Sequence, residues 1–97
     1  MIDYQGDFYR NKKHGKGKKY YSNYEDGVSY KGDWVNDQRN GYGVSFYRGG
    51  RVSYEGLWKN DKRDGVGKGW DENGECVWDG QWRDGKKEDA GEWDNWV

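Results

Sequence analysis

The chain has no proline, one cysteine, one histidine and very few aliphatic side chains. Each shortage excludes something. One cysteine, Cys76, cannot form an intramolecular disulfide framework. No apolar run exceeds a few positions, so neither a membrane-spanning helix nor a signal-peptide core is present. A cytoplasmic location is therefore the expectation. With a net charge of −1 and a pI near 5.8, the chain as a whole is a poor general binder of nucleic acid, and no nucleic-acid partner is expected. Its glycines are followed by no Gly-Lys-Ser/Thr, which removes a phosphate-binding loop.

Leu, Ile, Val and Phe together number 11 in 97 residues, and 36% of the chain is charged. That balance alone would mark disorder. Seven Trp and nine Tyr oppose it. Aromatic side chains bury roughly 150–250 Å² each and can replace an aliphatic core.

The aromatics recur at fixed spacing. "YQGDFYRNKKHGKG" begins at Tyr4, "YKGDWVNDQRNGYG" at Tyr30, "YEGLWKNDKRDGVG" at Tyr54 and "WDGQWRDGKKEDAG" at Trp78. Counting from the first aromatic as offset 0, offset 2 is always glycine (Gly6, Gly32, Gly56, Gly80) and offset 4 is Phe8, Trp34, Trp58 and Trp82. Offset 11 is Gly15, Gly41 and Gly65, then Asp89. Offset 13 is Gly17, Gly43, Gly67 and Gly91. A fixed period marks a repeat array. Residues 1–97 are expected to form one such array, its fourth copy partial or capping.

Aromatic-x-Gly-x-aromatic has the period of a strand, and 17 glycines disfavour helix. The pattern predicts an all-β, single-layer antiparallel meander of tandem hairpins, about eight strands long and elongated. The offset-2 glycines are expected to let a ring from an adjacent strand lie on bare backbone. "VNDQRNG" and "KNDKRDG" are expected to join the strands within a repeat, with "RNG" and "RDG", ending at Gly41 and Gly65, as the turn signals. Gly49–Gly50 and Asn73–Gly74 read as two-residue turns between repeats, and a longer junction is expected to turn at Asp26–Gly27.

Little in the sequence suggests catalysis or metal binding. His14 precedes Gly15 at an expected turn, and Cys76 lies some two and a half repeats away, so the two cannot form a dyad in a linear array. Cys76 is expected to be half-buried. "DENGE" lacks the spacing of a calcium loop. No cofactor is implied.

Charge and rings suggest binding. Arg10, Lys12, Lys13, Lys16, Lys18 and Lys19 fall in one stretch without an acid, expected as a basic hairpin tip that could meet anionic lipid. The last 19 residues carry six acids against three bases, so self-association of unlike ends is another expectation. A row of Tyr4, Phe8, Tyr30, Trp34, Tyr54, Trp58, Trp78 and Trp82 on one face of a single sheet would be both core and groove wall. A partner protein or peptide segment would be anchored chiefly on Trp34, Tyr54 and Trp58.

The motif Y-x-G-x-W, then G-x-G, then an aromatic resembles the MORN repeat (membrane occupation and recognition nexus) over residues 4 to 93. One departure is offset 7. The family usually carries glycine there, whereas this chain has Asn11, Asp37 and Asp61, with glycine only at Gly85. The resemblance implies a twisted meander with a grooved aromatic face. It also implies scaffolding, peptide binding, self-association or phosphoinositide binding rather than catalysis, as in ciliary and cytoskeletal proteins or beside enzymes that such arrays target.

Overall fold

Bare backbone at one position of each of seven strands sets the architecture. The computed structural model describes residues 3–22 and 27–88. They form β1 (Tyr4–Tyr9), β2 (Lys12–Tyr20), β3 (Val28–Val35), β4 (Gln38–Phe46), β5 (Val52–Lys59), β6 (Lys62–Trp70), β7 (Cys76–Arg83) and β8 (Lys86–Lys87). The eight pair antiparallel in chain order, giving the expected open meander. The molecule measures 53 × 31 × 15 Å. A thickness of 15 Å accommodates one sheet with its side chains, whereas two stacked sheets would sit about 10 Å apart before side chains are added.

Register aligns the glycines. Gly6, Gly17, Gly32, Gly43, Gly56, Gly67 and Gly80 pair in succession, forming a stripe across seven strands. The tyrosine at offset 0 lies over this stripe. A Cβ on Gly43 would sit 2.1 Å from the Tyr30 hydroxyl oxygen, and one on Gly67 would sit 2.1 Å from that of Tyr54. The glycines covered by a ring of the adjacent strand are those at offset 13; at the offset-2 positions Gly32 and Gly56, where the covering was expected, an added Cβ would instead meet the backbone of the partner strand at 2.4–2.5 Å.

The turns differ from expectation in two ways. Within repeats they are Arg10–Asn11, Asn36–Asp37, Asn60–Asp61 and Asp84–Gly85, each with two positive φ angles between 50° and 85°. That is a type I′ turn, which Asn, Asp and Gly tolerate and which matches strand twist. Gly41 and Gly65 are instead inside β4 and β6, at φ 110° and 104°. They accompany a register shift opposite Asp33 and Leu57, so their positive φ belongs to a bulge. Between repeats, three residues rather than two separate the paired ends. The Tyr47 and Asp71 amides donate to the carbonyls of Arg51 and Glu75, at 2.8 and 2.9 Å. Asp71 Oδ1 stabilises the second loop by accepting from the amides of Asn73 and Glu75. Gly27 has φ 88°, while Asp26 lies outside the described residues.

The glycine stripe generates a prediction. Gly43→Ala forces a methyl group into the Tyr30 ring and should cost at least about 2 kcal/mol. Tyr30→Phe removes only one hydroxyl bond and should cost about 1 kcal/mol. Urea denaturation measures both, and a Gly43→Ala protein within about 0.5 kcal/mol of wild type would refute this packing account.

Candidate functional site

The paired residues Tyr4, Lys19, Tyr30, Ser45, Tyr54, Gly69 and Trp78 run side by side on one face. On that face the rings interlock. Phe8, Tyr4, Trp34, Tyr30, Trp58, Tyr54 and Trp82 form an unbroken ladder with centroids 5.0–5.4 Å apart and planes at 75–90°. Edge-to-face pairs of this kind contribute about 0.5–1.5 kcal/mol each beyond their burial.

Each polar end of the ladder has a fixed acceptor. The hydroxyls of Tyr4, Tyr30 and Tyr54 donate to the carbonyls of Asp7, Asp33 and Leu57 in their own repeats, at 2.8, 2.9 and 2.7 Å. Trp34, Trp58 and Trp82 donate from Nε1 to the carbonyls of Gly17, Gly43 and Gly67 in the preceding repeat, at 3.0–3.1 Å. In the fourth copy, Trp78 takes the tyrosine's part and donates to the Gln81 carbonyl at 2.9 Å. A second tyrosine series joins repeats at the other end: Tyr21 donates to the Phe46 carbonyl, and Tyr47 to that of Trp70.

The expected anchors are therefore committed to the interior. Tyr54 is 0% exposed, Tyr30 1%, Trp34 3% and Trp58 5%. Tyr4 and Trp82 are also buried. Only the ends of the row are accessible, Phe8 at 60% exposed and Trp78 half-buried. Interlocking explains this: each ring covers its neighbour and itself lies on glycine backbone.

A cation lies over each step of the ladder, at offset 9. Lys13 Nζ is 5.5 Å from the Tyr4 and Trp34 centroids. Arg39 lies 5.7 Å from Tyr30 and 4.5 Å from Trp58, and Arg63 5.0 Å from Tyr54 and 5.3 Å from Trp82. Lys87 lies 5.8 Å from Trp78. These are cation–π contacts. Motif reading missed this series although its signal is plain, since offset 9 is Lys or Arg in all four copies.

The basic stretch is not a hairpin tip. Only Arg10 is in a turn, while Lys12, Lys13, Lys16, Lys18 and Lys19 belong to β2. Strand alternation divides them. Lys13 and Lys19 border the ladder beside Tyr30 and Trp34, whereas Lys16 and Lys18 line a groove on the opposite face. Lys16 is ion-paired with Asp33. His14 is also inside β2 rather than at a turn, its ring 5.5 Å from that of Tyr9. Cys76 opens β7 and is exposed, not half-buried. Among the described residues, no group of three potential ligands could hold a metal ion.

The opposite face is open. Gln5, Lys18, Lys31, Val44, Glu55, Lys68 and Asp79 pair in succession across it. Beside them, Tyr42, Leu57 and Val66 are 42–57% exposed. A groove of about 700 Å³ runs between Gln5, Lys18, Lys31, Val44, Phe46 and Glu55, and a shallower one of about 380 Å³ continues past Tyr42 and Glu55 to Leu57 and Val66. Tyr42 donates its hydroxyl to Glu55. Sequence reading concentrated on the large rings and overlooked this strip.

Burial has an electrostatic consequence. It pushes the Tyr54 hydroxyl up to about 12 and raises that of Tyr30 still further. Both stay protonated in the fold when the unfolded chain has already ionised near pH 10. Stability is thus unaffected by these groups below pH 10 and falls as pH rises from about 10 toward 12, by up to about 1.4 kcal/mol per pH unit for each tyrosine. Urea midpoints between pH 9 and 11.5 should show a shallower decline for Tyr54→Phe than for wild type. Parallel declines would remove Tyr54 from the account.

No helix among the described residues is long and apolar enough to cross a membrane. A comparison with curated proteins finds no match. The scan against protein-family models matches the MORN repeat at residues 4–25, 30–51, 54–76 and 78–88, the same four copies that the ladder joins. MORN repeats are non-catalytic modules associated in general with protein or membrane interaction. With most of its length matched and its rings, glycines and hairpins in the repeat's places, the chain belongs to the MORN-repeat family.

Proposed function

We propose that this array is a non-enzymatic scaffold that seats a partner polypeptide on its open face. The ring ladder supports the seat, and its buried members stiffen the ribbon rather than anchor the partner directly. One observation carries the reading: the apolar strip of Tyr42, Leu57 and Val66 continues a groove that the protein's own core does not use. Exposed apolar surface bordered by charge is typical of interaction sites. The border also gives a direction. Lys18 and Lys31 lie at one end of the row, while toward the other Glu55 and Asp79 flank Lys68. An extended segment crossing the strands, acidic where it meets Lys18 and Lys31 and of mixed charge beyond, matches that order.

A lipid-binding role has weaker support, because Arg10 lies in a turn and β2 sends Lys13 and Lys19 to one face and Lys16 and Lys18 to the other. Assembly in a cytoskeletal or ciliary structure, or targeting of an enzyme, would use the same seat.

Leu57→Asp and Val66→Asp test the proposal, since both side chains point to solvent and the ladder is untouched. Each should melt within about 0.5 kcal/mol of wild type and lower affinity for a polypeptide purified with the wild-type protein at least tenfold. Unchanged affinity in both variants would remove the open face as the seat. Salt-sensitive sedimentation of the wild type with anionic vesicles, unaltered by either variant, would favour the lipid reading instead.

A further inference from the structure

A break in the repeat on the ladder face singles out one cation. The within-repeat turn docks on the offset-9 residue of the preceding copy. The Asp61 amide donates to the Arg39 carbonyl at 3.0 Å, and the Gly85 amide donates to the Arg63 carbonyl at 2.9 Å. In the first of these pairs, the turn also supplies a carboxylate. Asp61 Oδ1 accepts from Arg39 N at 2.8 Å and Nε at 3.1 Å, while Arg39 Nη2 donates to the Asp61 carbonyl at 2.8 Å. In the second pair, glycine stands where Asp61 stood. Among the described residues, no carboxylate pairs with the Arg63 guanidinium.

Arg63 is half-buried over Tyr54 and Trp82, and burial, with the nearby Arg39 charge adding to it, holds its pKa below the ordinary arginine value. A cation taken partly out of water without a counter-charge is costly, so an incoming anion recovers free energy there. The surrounding cavity is about 470 Å³ and is lined by Arg39, Arg63, Ser45, Ser53, Asp61 and Gly85, among others. With Lys62 also in its lining, two guanidiniums, one ammonium and one carboxylate leave it positively charged by two.

We infer that Arg63 is a receptor for a single carboxylate presented by a polypeptide, as an acidic side chain or a chain terminus. The molecule contains its own template, because Arg39 already holds the Asp61 carboxylate in the equivalent place. Guanidinium suits this ligand, since its planar fork can donate to both carboxylate oxygens. The site is independent of the open-face seat and lies on the other side of the sheet.

The test restores the missing side chain. Gly85 has φ 85°, and a Cβ there meets nothing within 4 Å; Asp61 at φ 70° and Asn11 at φ 65° show that both residue types fit this turn. Binding of a blocked Gly-Glu-Gly peptide is followed by the NMR shifts of the Arg63 Nε–H and Trp82 Nε1–H groups, at constant ionic strength. The wild type should show saturable shifts that blocked Gly-Gln-Gly does not produce. Gly85→Asp should weaken binding at least tenfold, because its own carboxylate occupies Arg63. Gly85→Asn, similar in size and uncharged, should stay within about twofold of wild type. Arg63→Lys, which keeps the charge and loses the fork, should bind severalfold more weakly. Equal weakening by Asp and Asn at position 85, or full binding by Gly85→Asp, would overturn the inference. Inorganic phosphate binding tenfold more tightly than the glutamyl peptide would overturn the carboxylate assignment.

Discussion

A phenol ring resting on glycine, with an indole from the next repeat closing against it, is the interaction on which the structure depends. It solves a problem posed by the composition. A single sheet 15 Å thick has no second layer to bury its apolar residues, and the chain has few aliphatics to bury. Removing Cβ along one stripe lets tyrosines lie on the backbone. The tryptophans then need only edge contact to complete a core one ring deep. Hydroxyl and indole N–H groups both find carbonyl acceptors, so the core contains no stranded donor along its spine.

The same arrangement divides the sheet into unequal faces. One face is filled by its own rings and covered by a row of cations. The other carries alternating charge, a groove and an apolar strip with no internal partner. Rigidity on the first face makes a fixed surface of the second, which favours binding because less order must be imposed on association.

Much of the fold was legible because its constraints are short-ranged and repeated. Aromatic-x-Gly-x-aromatic gave strand period and facing, and four copies gave the array. Turn location within the joining segments was misread because Asn-Gly and Asp-Gly are strong local signals, yet the chain turns four residues earlier at Asn36–Asp37 and Asn60–Asp61. There, the cross-repeat hydrogen bonds to Lys13 and Arg39 favour that choice, and no local rule sees them. The candidate site was less legible. Ring identity does not reveal whether a ring is floor or surface, since that depends on what its neighbour covers. The offset-9 cations and the Tyr42–Leu57–Val66 strip were visible as positions, but only register shows which face each occupies.

The ladder has a direction: each tryptophan reaches back to the carbonyl of the copy before it, and each tyrosine binds within its own copy. Residues 30–53 and 54–77 consequently present matching sockets at one side and matching plugs at the other. A further 24-residue unit spliced between them would meet only interfaces already in use. Such a ribbon can grow or shrink across evolution in whole increments, like links in a chain, with no contact having to be invented at the joint.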